Sequence, residues 1–272
     1  GADENPELKP IGFPKNDSRR YSYTRTILSG VTSSVNGVAV HTLGKIGLTY
    51  SFNFAKEKFR LNNLHYRYVD DRGTVFSDVD WSPLALGALT KGVTVREMAN
   101  AYGTFANNGV WRNGRTFLKV YNSDGEVVMD NPQESDTILT QKAVNYMNYC
   151  LDNAVAVGTG PEADIPGHDV AGKTGTTSSQ RDRWFCGFTR YYTAAVWCGY
   201  KLPEEIKPIN GGNPAAQLFK KVMQPLHEGL ERVPLYDTKG MVTVSMCLDS
   251  GKLATDACVA DIRTSDKFSR TA

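Results

Sequence analysis

Three short runs, DVAGKTGTT (169–177), DRWFCGF (182–188) and TAAVWCGYK (193–201), most constrain what this chain can fold into. Each is rich in β-forming residues and each is set off by polar turn residues, the pattern of consecutive antiparallel strands in a meander. A sheet of this kind must bury one or both faces against other layers. The first strand also carries a lysine, a glycine and a run of hydroxyls, a combination suited to an anion or carboxylate docked on Lys173, Thr174 and Thr176.

Helical patterns supply the covering layers. Residues 22–46 read as two helical stretches around a polar break at Ser33–Gly37, with Ser34 and Asn36 expected on the turn between them. The segment TVREMANAYGTFANNG opens with Thr94 and Glu97 in capping-box spacing, repeats apolar residues at Val95, Met98, Tyr102 and Phe105, and stops at Gly109. FLKVYNSDGEVVM reads as a strand pair turning at Asp124 and Gly125, after which Thr140 can cap a helix whose Val144, Met147, Leu151 and Val155 share a face. A last helix is expected from Asn213 to about Leu230, with Pro214 in its first turn and Pro225 bending or shortening it. MVTVSMC then alternates like a strand before a turn at Ser250 and Gly251.

Charge excludes several classes of function. The 31 basic and 29 acidic side chains leave a formal charge of +2 with no long run of one sign, which argues against nucleic acid as a partner. No apolar run is long enough to span a bilayer, and the opening GADENPELKP lacks the basic and apolar regions of a signal peptide. The five cysteines form no CxxC and the four histidines are scattered, so no metal site and no cofactor is expected.

Taken together, SSVN (33–36), LALGALTKGVTVREMANAYGTFANNGV (84–110), VGTG (157–160) and AGKTGTT followed by DRWFCGFT resemble the transpeptidase domain of penicillin-binding proteins. The long central segment and the tail VSMCLDSGKLATDAC resemble the class A, bifunctional branch. The resemblance runs from about Phe13 to Cys258 and implies an α/β (α+β) fold like that of β-lactamases and transpeptidases, with a central antiparallel sheet flanked by helices and a helical subdomain. It divides a single domain, 1–272, into a mainly helical part, 22–160, and a sheet part, 161–262.

The family's site combines SxxK, SxN and KTG motifs. Ser34 and Asn36 match SxN, which implies a proton-relay hydroxyl and an amide that holds the substrate backbone. Lys173, Thr174 and Gly175 match KTG, extended by Thr176 and Thr177. The resemblance makes Lys173 the cation of the cleft, the hydroxyls of Thr174 and Thr176 the clamp for the terminal carboxylate of a D-Ala-D-Ala stem peptide, and the Thr176 N–H half of an oxyanion hole. Gly175 is expected to leave room for close approach of substrate. Acyl transfer requires this kind of set: an activated hydroxyl, a proton shuttle and donors aimed at the developing oxyanion.

The nucleophile motif is not among these residues. No serine is followed three positions later by lysine: Ser22 precedes Arg25, Ser29 precedes Thr32 and Ser265 precedes Phe268. NPELKPI echoes the surroundings of SxxK, but Pro6 stands where the serine belongs. The expectation is a domain truncated at both ends, with its nucleophile on a segment upstream of Gly1 and no penicilloyl ester formed by this chain alone.

Single motifs have plainer readings. A lone KTG is a solvated strand, and Ser and Asn suit any turn between helices; their order and context carry the resemblance. Trp184 and Phe185 alternate as core residues more readily than as groove lining. Cys186 and Cys198 are expected as free thiols, and the extracytoplasmic setting implied by the resemblance favours Cys247 with Cys258 as a disulfide. The functional expectation is a serine-type D,D-transpeptidase that cross-links peptidoglycan and binds β-lactams in the complete protein, in a membrane-anchored parent within the cell envelope. Whether a glycosyltransferase domain precedes it is left open. The alternative is a non-catalytic, penicillin-binding-like module that binds stem peptides or a cell-wall partner.

Overall fold

A computed structural model describes residues 14–16, 25–202, 204–207, 212–239, 241–247, 254–256 and 263–269, with the backbone alone for 241–243, 246–247 and 263–269. The helical part begins with α1 (Ile27–Thr32), capped by the Thr26 hydroxyl on Ser29 N, and α2 (Asn36–Ile46). The break between them is shorter than the sequence pattern implies. Ser34 turns the chain with a φ of 53°, and Asn36 already opens α2. Next come α3 (Leu48–Asn53), which runs into a π-helical turn, the small hairpin β1 (Tyr68–Val69) and β2 (Val75–Phe76), and α4 (Trp81–Leu86).

The capping box forms as expected at α5 (Val95–Ala106): Thr94 Oγ1 accepts from Glu97 N, and the Glu97 carboxylate accepts from Thr94 N. The same carboxylate also accepts from Asn62 N, fastening the preceding loop to the helix. Then β3 (Val110–Arg112) pairs with β6 (Ser135–Thr137), and between them β4 (Lys119–Tyr121) and β5 (Val127–Asp130) form the expected hairpin. Its turn is fixed by Asn122 Oδ1, which accepts from Asp124 N and Glu126 N, with Gly125 at positive φ.

Thr140 caps α6 (Gln141–Ala156), which buries Val144, Leu151 and Val155. Met147 lies outside that face at 36% exposure. The buried position beside it is Asn148, whose amide donates to the carbonyls of Phe105 and Leu235 and ties α6 to α5 and to the later chain.

The expected meander is β7 (Ala171–Thr176), β8 (Asp182–Phe188) and β9 (Thr193–Gly199), in that spatial order and antiparallel throughout. Among the described residues β7 has one paired neighbour, so its other side is an open edge. The α7 helix (Pro214–Leu226) covers one face: Phe185 packs edge-on against Phe219 at 4.8 Å, inside a cluster with Val155, Ile165, Val170, Ala216 and Met223. Complete burial of a side chain the size of Phe185 contributes about 1.5–3 kcal/mol. On the other face, Ala171, Phe188, Leu151 and Leu235 pack with Tyr102 and Phe105 of α5. Helices on both faces of an antiparallel sheet are what the sequence pattern implies.

Pro225 sits in the last turn of α7, which ends one residue later, four residues before the expected end near Leu230. Phe185 is core, whereas Trp184 is only partly buried. Cys186 and Cys198 are free; Cys186 opposes Ala195 and Cys198 opposes Arg183, an odd offset that sends the two thiols to opposite faces. The strand at 241–247 is β10, and it pairs with β11 (Arg263–Ser269), a strand the polar RTSDKFS does not announce. The proposed Cys247–Cys258 pairing, the turn at Ser250 and Gly251, and the NPELKPI segment lie outside the described residues or side chains.

Candidate active site

The C-terminal turn of α6 meets the open edge of β7 and brings together the polar groups of the KTG strand. Thr159, in the VGTG turn, stands between two successive residues of that strand. Its Oγ1 lies 2.8 Å from Thr174 Oγ1 and accepts from Lys173 Nζ at 3.2 Å. Lys173 and Thr174 alternate across the pleat, so only a group off the free edge can touch both. Lys173 Nζ also approaches the carbonyl and hydroxyl of Thr174, at 3.3 and 3.4 Å. Thr159 was not among the residues singled out from the sequence, although VGTG was part of the family pattern; nothing in a four-residue turn announces which strand it will reach.

Burial lowers the pKa of Lys173 from 10.5 to about 8. A buried ammonium is poorly hydrated, and the neutral acceptors around it compensate only in part. The result is an amine that carries a proton at neutral pH and can give it up readily, a suitable property for a proton relay.

The end of α1, just before the SxN turn, packs against the turn that ends α6. Gly158 lies against the end of α1, where a Cβ would stand 2.3 Å from the Thr32 carbonyl oxygen and 2.7 Å from that of Ala154. Glycine there permits close contact between the two helix ends, and Ser34 follows two residues after Thr32. Ser34 is exposed, and among the described residues it makes no side-chain bond to Lys173. Asn36 directs its amide to Lys15 O at 2.7 Å, while Gly37 N donates to Asn16 Oδ1, so the first turn of α2 is engaged by residues 15 and 16.

Further along β7, Thr176 is exposed and accepts from Arg183 Nη1 at 3.2 Å. Thr177 Oγ1 accepts from the N–H groups of Arg181 and Asp182 and so fixes the β7–β8 turn. Gly175 has a packing reason for lacking a side chain: a Cβ would stand 3.1 Å from Trp184 Cβ on the neighbouring strand. Cys186 is the cross-strand partner of Lys173, and burial pushes its thiol up to about 12, leaving it un-ionised. Among the described residues no group of three or more His, Cys, Asp or Glu is placed to hold a metal ion, and no helix is long and apolar enough to cross a membrane.

A three-stranded antiparallel sheet between helices, with the Lys173–Thr174 edge strand beside the turn that ends α6, gives the chain the α/β fold shared by penicillin-binding transpeptidase structures. Residues 7–224 match the family model of the penicillin binding protein transpeptidase domain, and the chain belongs to that family. It is similar to penicillin-binding protein 1A of Clostridium perfringens, 30% identical over 96% of this chain and 31% of that protein, and to penicillin-binding protein 1A of Clostridium botulinum, 33% identical over 94% and 29%. The chain thus spans about a third or less of the length of these relatives. Among solved structures it resembles penicillin-binding protein 1A from Haemophilus influenzae, with a TM-score of 0.66 at 15% identity over 94% of this chain and 41% of that one. It also resembles PonA1 from Mycobacterium tuberculosis in complex with penicillin V, with a TM-score of 0.61 at 19% identity over 80% and 61%. The relatives named penicillin-binding protein 1A accord with the class A resemblance.

Proposed function

We propose that this chain is the carboxylate-docking and proton-handling part of a serine-type D,D-transpeptidase that cross-links peptidoglycan stem peptides, with the nucleophile carried on a segment beyond these residues. The observation that carries this reading is the Lys173–Thr159–Thr174 cluster at an open strand edge, with Gly158, the neighbour of Thr159, packed on the Thr32 carbonyl two residues before Ser34. A stem peptide laid along β7 as an added strand would present its terminal carboxylate to the hydroxyls of Thr174 and Thr176 under the positive charge of Lys173. Ser34, with Lys173, moves the proton released by the attacking hydroxyl, and Asn36 turns from Lys15 O to the substrate backbone. The Thr176 N–H meets the developing oxyanion.

In the complete protein the acyl-enzyme would form on a serine of the SxxK type, and β-lactams would be trapped there. A membrane-anchored, extracytoplasmic parent, with a glycosyltransferase domain as a candidate second activity, follows from the class A relatives by analogy. Equilibrium dialysis of the chain against labelled benzylpenicillin tests the docking part. Reversible binding weakened about tenfold or more by Lys173→Ala is expected, since a hydrogen bond to a charged group contributes about 1.5–3 kcal/mol. Equal binding by the two proteins contradicts the role given to Lys173.

A further inference from the structure

At the end of the sheet opposite Thr176, the turn between β8 and β9 carries Arg190, Tyr191 and Tyr192. Thr189 Oγ1 is buried there, accepts from Tyr191 N at 3.1 Å and Tyr192 N at 3.3 Å, and lies 2.7 Å from His227 Nε2. Tyr191 Oη donates to the Glu231 carbonyl at 2.9 Å, so the turn and one of its rings are held in place. Arg190 Nη1 donates to the Ala106 carbonyl at 3.1 Å and to Asn108 Oδ1 at 3.0 Å, two neutral acceptors where α5 ends. The guanidinium borders two hollows. One, of about 680 Å³, is lined by Asn108, Gln141, Asn145, Arg232 and Lys239 among others; the second, of about 300 Å³, is lined by Tyr191, Tyr192 and Gly103 of α5. Hollows of this size suit small ligands or the units of a longer one.

The larger hollow is polar and carries a net positive charge. Its cations Arg190, Arg232 and Lys239 face two carboxylates, Asp169 and Asp237, of which Asp169 is bound by Arg232 at 2.6 Å. No carboxylate among the described residues pairs with Arg190 or Lys239. Gln141 Nε2 donates to Asn145 Oδ1 at 3.0 Å and Asn145 Nδ2 to the Asp237 carbonyl at 3.4 Å, which orients both amides. A planar amide offers a donor and an acceptor side by side to neighbouring hydroxyls, a tyrosine ring offers a flat face to a sugar ring, and an unpaired guanidinium matches a carboxylate. We propose that these two hollows bind an acidic saccharide, its rings lying across Arg190 with a carboxylate on the guanidinium. That the saccharide is the glycan strand of peptidoglycan rests on the function proposed above. The site is separate from the docking strand: Phe188 pairs with Ala171 and Arg183 with Thr176, five residues apart, or roughly 17 Å along the sheet. A glycan strand held at Arg190 leaves β7 open to a stem peptide.

The test titrates three probes into the protein and follows backbone NMR shifts: the disaccharide N-acetylglucosaminyl-N-acetylmuramic acid with its lactyl carboxylate free, the neutral N,N′-diacetylchitobiose, and inorganic phosphate. The acidic disaccharide is expected to shift Asn108, Gln141, Asn145 and Arg190–Tyr192 and to bind about tenfold more tightly than either other probe. Arg190→Gln should remove most of its advantage over chitobiose while changing chitobiose binding less than twofold, and Asn145→Ala should weaken both sugars. Because Arg190 also caps the end of α5, Lys239→Gln repeats the charge test with a residue exposed at the surface, and about a threefold loss for the acidic disaccharide alone is expected. Phosphate binding as tightly as the acidic disaccharide shows a site for simple anions and overturns the proposal. Shifts absent from these residues, or confined to Lys173–Thr177, overturn it too while leaving the docking strand standing. Conversely, disaccharide shifts at Arg190 in a protein whose benzylpenicillin binding ignores Lys173→Ala would support the saccharide site and remove the docking role.

Discussion

Thr159 Oγ1 accepts a hydrogen bond from Lys173 Nζ at 3.2 Å, and this contact joins the end of α6 to the edge strand that bears the KTG motif. The lysine is thus positioned from outside its own sheet. Replacing the hydroxyl with a methyl group of similar size, Thr159→Val, removes an acceptor that favours the ammonium form. The Lys173 pKa should therefore fall further below about 8, and stability should drop by about 1 kcal/mol. Titration of the lysine side chain by NMR checks the first effect and urea unfolding the second; an unchanged or raised pKa contradicts the positioning role.

The lowered pKa of Lys173 also fixes the sign of a stability profile. Its folded value of about 8 lies below its ordinary 10.5, so between these pH values the unfolded chain holds the proton and the folded chain does not. Stability from this group therefore rises with pH across the window, and the cost of burying the charge is fully present below it. Measured against Lys173→Met, the unsubstituted protein should gain up to roughly 3 kcal/mol between pH 8 and 10.5, the other titrating groups being common to both. A difference that stays flat across that range contradicts the burial of the ammonium.

Gly158 permits the contact between the α1 and α6 ends. In Gly158→Ala the new methyl would stand 2.3 Å from the Thr32 carbonyl oxygen, closer than real Cβ contacts allow, and neither backbone can give way cheaply. A loss of about 2 kcal/mol or more is expected, together with displacement of the Ser34 turn relative to Thr159. Thermal unfolding measures the first and chemical-shift changes at Ser34 the second. A melting temperature equal to that of the unsubstituted protein contradicts the packing.

Much of this arrangement is legible in the sequence because it rests on local chemistry. The capping box at Thr94 and Glu97, the Thr140 cap and the three alternating runs of the meander each announce their element through neighbours in the chain. The parts that are not legible depend on long-range approach. Thr159 meets Lys173 only because α6 ends at the sheet edge, and Gly158 lacks a side chain because of a carbonyl on α1. Gly175 fits the motif but also answers to Trp184 across the strand. Arg183 reads as one charged residue in a strand until the register sets it against Thr176. Asn148 takes the buried position beside Met147, its amide bridging two carbonyls, a demand no hydrophobic periodicity records.

The proposed division of roles, with Ser34 as relay and a serine outside these residues as attacker, is tested most directly by weighing the chain after incubation with benzylpenicillin. Covalent capture needs a hydroxyl activated by a base within hydrogen-bond reach, and on the proposed reading that hydroxyl belongs to an SxxK motif that these 272 residues do not contain. An unchanged intact mass is expected for these 272 residues, together with reversible binding in dialysis. Stoichiometric gain of one penicilloyl group, mapped by peptide analysis to Ser34 or to another serine of this chain, would contradict it.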